Sequence, residues 1–332
     1  MRIALDAMGG DKAPLEAVRG ALRSVEMGFV PAEGLVLVGD AGRLEEALRG
    51  EGGAGRGLAI HHAPEVIEMH ELPVEALRRK RRSSIGACVE LVKKGEAAGV
   101  VTAGHTGAAV AAAQLRLKML EGIRRPGLAV AFEGAKGSTV LIDVGANLSC
   151  RPLDLFHYGV MASCYARDVL GIDRPRVALL SIGSEDEKGT ELVRRTHESF
   201  RASPLEFVGN IEGQDLLGGA ADVIVCEGFV GNVVLKTAEG AVEYLAGIFA
   251  KELGSRSPEI AREILPAIAK RLDYAEHGGA LLLGIEGVVV IGHGRSDAKA
   301  IASAIRGAAR FVQADVNHHI VAGLRALKGA VA

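Results

Sequence analysis

The chain has 332 residues, 48% of them hydrophobic and 24% charged, with a formal net charge of −2. That length buries a sizeable core, and the near-zero charge supplies no global field for nucleic acid or an anionic membrane. Only 4% of the residues are aromatic and none is Trp, which argues against a single-strand nucleic-acid reader built on stacking platforms.

The first residues, MRIALDAMGG, enter a strand at once, so no signal peptide is expected. β-rich runs at 3–7, 34–40, 57–63, 99–104, 127–134, 138–145, 176–183, 205–210, 222–228 and 287–292 alternate with helical runs. The helical runs cover 14–27, 41–49, 72–95, 107–120, 154–170, 189–202, 213–218, 232–253, 258–272 and 296–327. This alternation is the pattern of parallel βα units. Several strands are continuous apolar runs, as expected where helices cover both sheet faces. The stretch from Ala97 to Leu115 lacks Asp, Glu, Lys and Arg, but its TAGHTGAA centre fits strand, loop and helix rather than a membrane span.

Cys88, Cys150, Cys164 and Cys226 form no CxxC pair and read as reduced thiols of a cytosolic protein. Nothing near Cys150 in sequence looks placed to activate it as a nucleophile. No repeat or linker divides 1–332, so one domain is expected, with 232–272 inserted as a helical hairpin. Ala238, Val242, Leu245 and Phe249 stand at helical spacing, and Ile260, Ile264 and Ile268 share a face beyond Ser257 and Pro258. The apolar faces of that hairpin either pack on each other or meet another subunit or a lipid surface.

Six strands end alike, with glycine, then small polar or charged residues, then a helix start. The turns are DAMGGDKAP (6–14), AGHTGA (103–108), DVGAN (143–147), SIGSEDEKGT (181–190), EGFVGN (227–232) and IGHGRSD (291–297). In open parallel sheets, ligands bind outside the carboxyl ends of the strands. Glycine lets the backbone approach a ligand, and helix starts offer N–H groups to an anion. One cleft formed by the six turns is therefore expected. There is no GxxxxGK[ST], no complete GxGxxG after a strand, no HExxH and no GxSxG. These absences argue against a Walker NTPase, a Rossmann enzyme, a zinc protease and an α/β-hydrolase. No metal and no cofactor are expected. A phosphate-type anion suits the remaining amides, hydroxyls, Asn, Lys and carboxylates.

At these turns the chain resembles the PlsX family, the bacterial phosphate acyltransferases. The matching stretches also include PVEALRRKRRSS, DLLGGAADVIVCEGFVGNVVLKT, GGALLLG and HGRSDAKA, and the ordered set spans nearly the whole chain. The resemblance implies transfer of an acyl group from acyl carrier protein to inorganic phosphate, giving an acyl phosphate for phospholipid synthesis. It also implies a three-layer α/β/α fold with a mostly parallel sheet, similar to phosphotransacetylase and isocitrate-dehydrogenase-type proteins. A homodimer and peripheral membrane contact through the hairpin are implied as well. The family pattern has Asn where His105 stands and Asp-Gly-Phe-Thr-Gly-Asn where this chain has EGFVGN, so Glu227 keeps a carboxylate and Val230 removes a hydroxyl.

Phosphate is already nucleophilic, so such an enzyme needs positioning and oxyanion stabilisation more than a nucleophile of its own. On that reading Lys188, with Gly183, Ser184 and Glu185, faces phosphate or the oxyanion, and Asp186 with Glu185 orients Lys188 or neighbouring amides. The alternative is a solvated ion cluster. Asn232 and Asn147 are donors or caps of their own helices. Lys236 adds charge or is a solvated helix residue, and His293 is an acid/base or a hydrogen-bonded loop residue. His105 donates a hydrogen bond whose charge state follows pH. Gly104, Thr106, Gly107, Gly231 and Ser296 complete the expected binding set. Arg78, Arg79, Arg81 and Arg82, in LRRKRRSS (77–84), form a docking patch for the acidic carrier protein or a solvated helix face. A coenzyme A-dependent acyltransferase and a non-catalytic acyl or phosphate sensor are the alternatives from other classes.

Overall fold

The computed structural model describes residues 1–52, 57–256, 262 and 278–328. Residues 53–56 of the GGAGRG run, and the expected 258–272 helix apart from Arg262, lie outside the described residues.

Eleven strands form one sheet in the order β3-β2-β1-β4-β11-β10-β5-β6-β9-β7-β8. The first half comprises β1 (Ile3–Asp6), β2 (Leu35–Gly39), β3 (Ala59–His62), β4 (Gly99–Thr102) and β11 (Val288–Ile291), parallel to one another. The second half comprises β6 (Gly137–Ile142), β7 (Arg176–Leu180), β8 (Glu206–Ile211) and β9 (Val223–Val225), also mutually parallel. Between the halves lie β10 (Ala280–Leu283) and β5 (Gly127–Gly134). β10 is antiparallel to both β11 and β5, and β5 is antiparallel to β6. Three reversals in succession leave the two parallel halves pointing in opposite directions.

Alternation along the strands feeds two cores. Ile3 and Leu5 point into one layer and Ala4 into the other. The first layer packs α1 (Leu15–Glu26), α2 (Ala41–Gly50), α6 (Pro152–Asp168), α7 (Glu191–Arg201), α9 (Ala298–Gln313) and α10 (Val316–Lys328). The second packs α3 (Pro73–Arg79), α4 (Ser84–Lys93), α5 (Thr106–Arg116) and, through Val234, Leu235 and Ala238, α8 (Gly228–Arg256). This is the three-layer α/β/α arrangement.

Several boundaries differ from the sequence pattern. β10 was not expected, because ALLL is a short apolar run directly after two glycines and carries no periodicity. The expected 72–95 helix breaks at Lys80–Ser83, where Ser84 N–H donates to Glu65 O at 2.9 Å. The basic run therefore sits on the end of α3 and a turn, and is not one helix face. The expected 213–218 helix is a single 3₁₀ turn, Gly213–Asp215. The 296–327 run divides at Asp315, which adopts φ 49°. α8 starts earlier than its apolar spacing indicates, because the Glu227 carboxylate accepts from Phe229 N (2.8 Å) and Val230 N (3.1 Å).

α6 lies against α7 at a glycine. A Cβ at Gly159 would sit 2.5 Å from the Phe200 ring. Gly159→Ala is expected to lose about 1–3 kcal/mol through overpacking, read as a lower midpoint in urea denaturation with activity per folded molecule unchanged.

Candidate functional site

Each half of the sheet builds its turns around a buried carboxylate at a strand end. At the first, the Asp6 carboxylate accepts from Thr102 Oγ1 at 2.7 Å and Met8 N at 3.3 Å. Burial pushes its pKa up, and these donors oppose that shift. Gly9 lies so close to the β4 turn that a Cβ there would meet Gly104 N at 2.7 Å. Asp11 N donates to Gly294 O at 2.8 Å, and Gly292 N to Thr102 O at 2.7 Å. The turns after β1, β4 and β11 are thus stitched into one rim.

Under that rim lies a cavity of about 330 Å³. Its polar lining includes Asp6, Lys12, His293, Arg295, Ser296 and Asp297. The amides at the start of α9 are largely committed. Ala298 N donates to Glu16 Oε2 at 2.7 Å and Ala300 N to Asp297 Oδ1 at 2.8 Å. An anion here must be held chiefly by side chains. Lys12 makes no ion pair with any described residue, and Arg295 pairs with Glu243 of α8 at 3.0 Å.

His293 Nδ1 accepts from Arg295 N at 3.1 Å. Burial first, then the cations of Lys236 and Arg295, lower its pKa below the ordinary value. The ring is therefore neutral near pH 7, and with Nδ1 accepting, the proton resides on Nε2. An uncharged Nε2–H donor suits a developing oxyanion. Lys236 stands one turn beyond Asn232 and pairs with Glu239 at 2.8 Å. α8 thus runs from the second group of turns to the first.

At the second group, Asp143 Oδ1 accepts from Leu128 N (3.0 Å), Gly145 N (3.1 Å) and Ala146 N (2.8 Å). Its Oδ2 takes Asn147 N at 2.9 Å. Asn147 is buried, and its amide is consumed by Pro126 O, Tyr158 Oη and Asp143, with Arg125 on its Oδ1. It is a structural bracket, and the expectation that it donates to substrate is corrected. Gly231 is fixed for a similar reason, since a Cβ would fall 1.9 Å from Asp143 O. It lets α8 approach the β6 turn. Asn232 is exposed, and its Nδ2 donates to Val144 O at 3.1 Å. The Cys150 thiol is pushed up to about 11 by burial, which leaves it inert as a nucleophile near neutral pH.

The expected single cleft is corrected. The turns holding Gly104, Thr106, Gly107, His293 and Ser296 follow strands of the first half. Those holding Asn147, Gly183–Lys188 and Gly231–Asn232 follow strands running the other way. Lys188 and Ser184 are exposed, and none of 183–188 lines the cavity. Asp186 does not orient Lys188, because its carboxylate is taken by Arg201, with His197 Nε2 3.2 Å away. The Arg201 guanidinium beside Asp186 holds that carboxyl below its usual range. The Glu185 carbonyl accepts from Asn210 Nδ2 at 2.8 Å.

His105 is also reassigned. Its Nδ1 accepts from Ala108 N at 3.4 Å and its Nε2 contacts Glu71 O at 3.2 Å, so it is the N-cap of α5. Gly107 clears Pro73, whose Cγ a Cβ would meet at 3.0 Å. Within the basic run, Arg79 and Lys80 clamp the Glu71 carboxylate, which they and the Glu68 N–H hold down at about 2. Arg81 and Arg82 line a second cavity instead. Lys12 and Arg295 were missed as site residues. Their only signal is that each follows a glycine turn, on the parallel strands β1 and β11 that flank β4.

If His105 is a cap, His105→Asn retains activity within a few-fold, since Asn is a preferred cap. His105→Ala costs about 1 kcal/mol of stability, measured by thermal denaturation beside steady-state rates.

The family model described as "Fatty acid synthesis protein" matches residues 1–319. A phosphate acyltransferase of Desulforudis audaxviator is 46% identical over 332 residues, covering 98% of this chain and 96% of that protein. One from Geobacter sulfurreducens is 43% identical, covering 96% and 93%. Among solved structures, a phosphotransacetylase from Streptococcus pyogenes superposes with a TM-score of 0.63 at 20% identity, covering 94% of each chain. That last likeness concerns the fold.

Proposed function

This chain belongs to the PlsX family of phosphate acyltransferases, and we propose that it moves a long-chain acyl group from acyl carrier protein to inorganic phosphate. The product is an acyl phosphate for phosphatidic acid and phospholipid synthesis. The observation that carries this reading is the cavity at the first sheet edge, where Lys12 and Arg295 stand beside a neutral His293. Two cations suit a phosphate dianion, and an uncharged imidazole N–H suits an oxyanion without holding a charge of its own.

In this account Lys12 and Arg295 hold phosphate, with Ser296 as a further hydroxyl donor. A phosphate oxygen attacks the thioester carbonyl carbon, and His293 Nε2–H donates to the oxyanion of the tetrahedral adduct. The adduct collapses as the C–S bond breaks, and the departing carrier thiolate takes up the proton that the hydrogen phosphate gives up. Lys236 contributes charge from α8 and helps keep His293 neutral. No step requires a metal or an organic cofactor. The expected docking of the carrier on the basic segment 77–84 belongs to the same reading.

The enzyme is further proposed to act in the cytoplasm as a homodimer with peripheral membrane contact. Among the described residues no helix is long and apolar enough to cross a membrane. Leu148, Ile182, Phe229 and Val233 are exposed, in or just beyond the turns after β6, β7 and β9, which are successive strands of the sheet. On α8, Tyr244, Leu245, Ile248 and Phe249 are exposed too. Apolar surface of this kind suits contact with a second copy or a lipid surface.

The test mixes purified protein with a long-chain acyl carrier protein thioester, with and without phosphate, and seeks acyl phosphate by mass spectrometry. Phosphate-dependent product is expected. Equal turnover of acyl-coenzyme A would overturn the carrier as preferred donor, and binding without turnover would favour a sensor. Lys12→Ala and Arg295→Ala should each raise the phosphate KM about 10-fold or more, the scale of a lost charged hydrogen bond.

The His293 pKa is lowered on folding. Its neutral form is therefore retained above the ordinary value of about 6.5 and lost as pH falls through the lowered folded value. With carrier substrate and phosphate dianion both saturating, kcat is expected to be flat above the ordinary histidine value of about 6.5 in wild type and to decline on the acid side. His293→Gln should remove that acid limb.

A further inference from the structure

The second cavity, of about 360 Å³, lies between edge strand β3 and α4. It is lined by His61, His62, Arg81, Arg82, Lys94 and Arg116, and Glu90 is the one carboxylate in the lining. The cations are held there by the backbone. The Arg82 amide is pinned to Glu65 Oε2 at 2.8 Å. Arg116 Nη1 donates to Gly86 O at 2.6 Å, over a glycine whose Cβ would meet the guanidinium at 3.0 Å. The side chains of Arg81, Arg82 and Lys94 make no ion pair with any described residue.

The basic run is thus divided. Arg79 and Lys80 are spent on Glu71, whereas Arg81 and Arg82 join Lys94 and Arg116, which lie well outside the run in sequence. The groove's His62–Ala63 end is at the carboxyl end of β3, on the same sheet edge as the phosphate cavity. β3 is two strands from β1 in the sheet, a separation of about 10 Å.

We propose that this groove is the docking surface for the acidic carrier protein, seated on Arg81, Arg82, Lys94 and Arg116. It rests on the carrier-thioester reading above and specifies where the partner sits. A groove with so little negative charge of its own complements an acidic helical surface. A carrier placed there needs its prosthetic arm to pass over that shared edge, from the α4–α5 layer to the α1–α9 layer, to reach Lys12 and His293. Arg79 is a clamp on the α3 segment and makes no docking contact.

The test compares wild type, the double variant Arg82→Glu/Lys94→Glu, and Arg23→Glu on α1 in the opposite layer as a control. The KM for a long-chain acyl carrier protein thioester is measured at low and high salt, alongside kcat and the phosphate KM. The groove predicts a carrier KM raised about tenfold or more in the double variant at low salt, shrinking at high salt as the charges are screened. Wild-type kcat and phosphate KM are expected throughout, and the control should match wild type. An unchanged carrier KM in the double variant, with wild type turning over, overturns the groove but leaves the donor reading intact. Absence of carrier-dependent turnover in wild type overturns the donor reading and the groove with it. If the double variant loses its cooperative melting transition, Arg82→Gln/Lys94→Gln replaces it, with a smaller rise of the same salt dependence expected and no rise counting against the groove.

Discussion

The backbone hydrogen bonds of Leu281–Leu283 run antiparallel to β11 on one side and to β5 on the other. With the β5–β6 hairpin, this pairing turns the sheet over between its parallel halves. Carboxyl ends of strands are where glycine turns and helix starts collect, so the reversal produces two such collections instead of one. The first carries Lys12, His293, Arg295 and Ser296, and the second carries Asn147, Lys188 and Asn232. α8 joins them, beginning at the Asp143 turn and passing Lys236 and Glu243 beside the His293 loop.

Both collections are organised by a carboxylate buried at a strand end. Asp143 accepts from four backbone amides and one side-chain amide, and Asp6 from Thr102 and the Met8 amide. An ionised carboxylate in such a place is costly unless its lone pairs are filled. Filling them draws in the turns around it and sets the backbone geometry of each rim. What differs is the remaining chemistry. At the second group Asp143 and Asn147 are spent on each other and on the backbone, and Lys188 stands exposed on the surface, whereas the first encloses a cavity beside the Lys12 ammonium and His293 Nε2, neither of which has a partner among the described residues.

Much of this was legible in the residues. Continuous runs such as LVLVG and VVVI announced strands buried on both faces, and the six glycine turns announced where chemistry could sit. The family resemblance agreed with them. The direction of each half was not legible, because ALLL is too short to carry a period and its antiparallel pairing is a tertiary choice. Lys188 looked like the anion ligand because its turn is dense in charge, yet Asp186 is neutralised by Arg201 and the lysine faces solvent. His105 looked like a hydrogen-bond donor to the substrate because it stands where the family pattern has Asn, but its Nδ1 accepts from Ala108 N as a helix cap. Lys12 and Arg295 were overlooked because each is a lone cation in a turn, and only the parallel pairing of β1, β4 and β11 brings them to one rim.

On the proposed reading phosphate sits at the first sheet edge, and none of the β7-turn residues 183–188 lines that cavity. The most direct measurement is calorimetric titration of inorganic phosphate into wild type, Lys12→Ala/Arg295→Ala and Lys188→Ala proteins. The account predicts that phosphate affinity collapses in the Lys12/Arg295 variant and is unchanged in Lys188→Ala. Loss of binding in Lys188→Ala, with the Lys12/Arg295 variant intact, would contradict it and move the site to the second sheet edge.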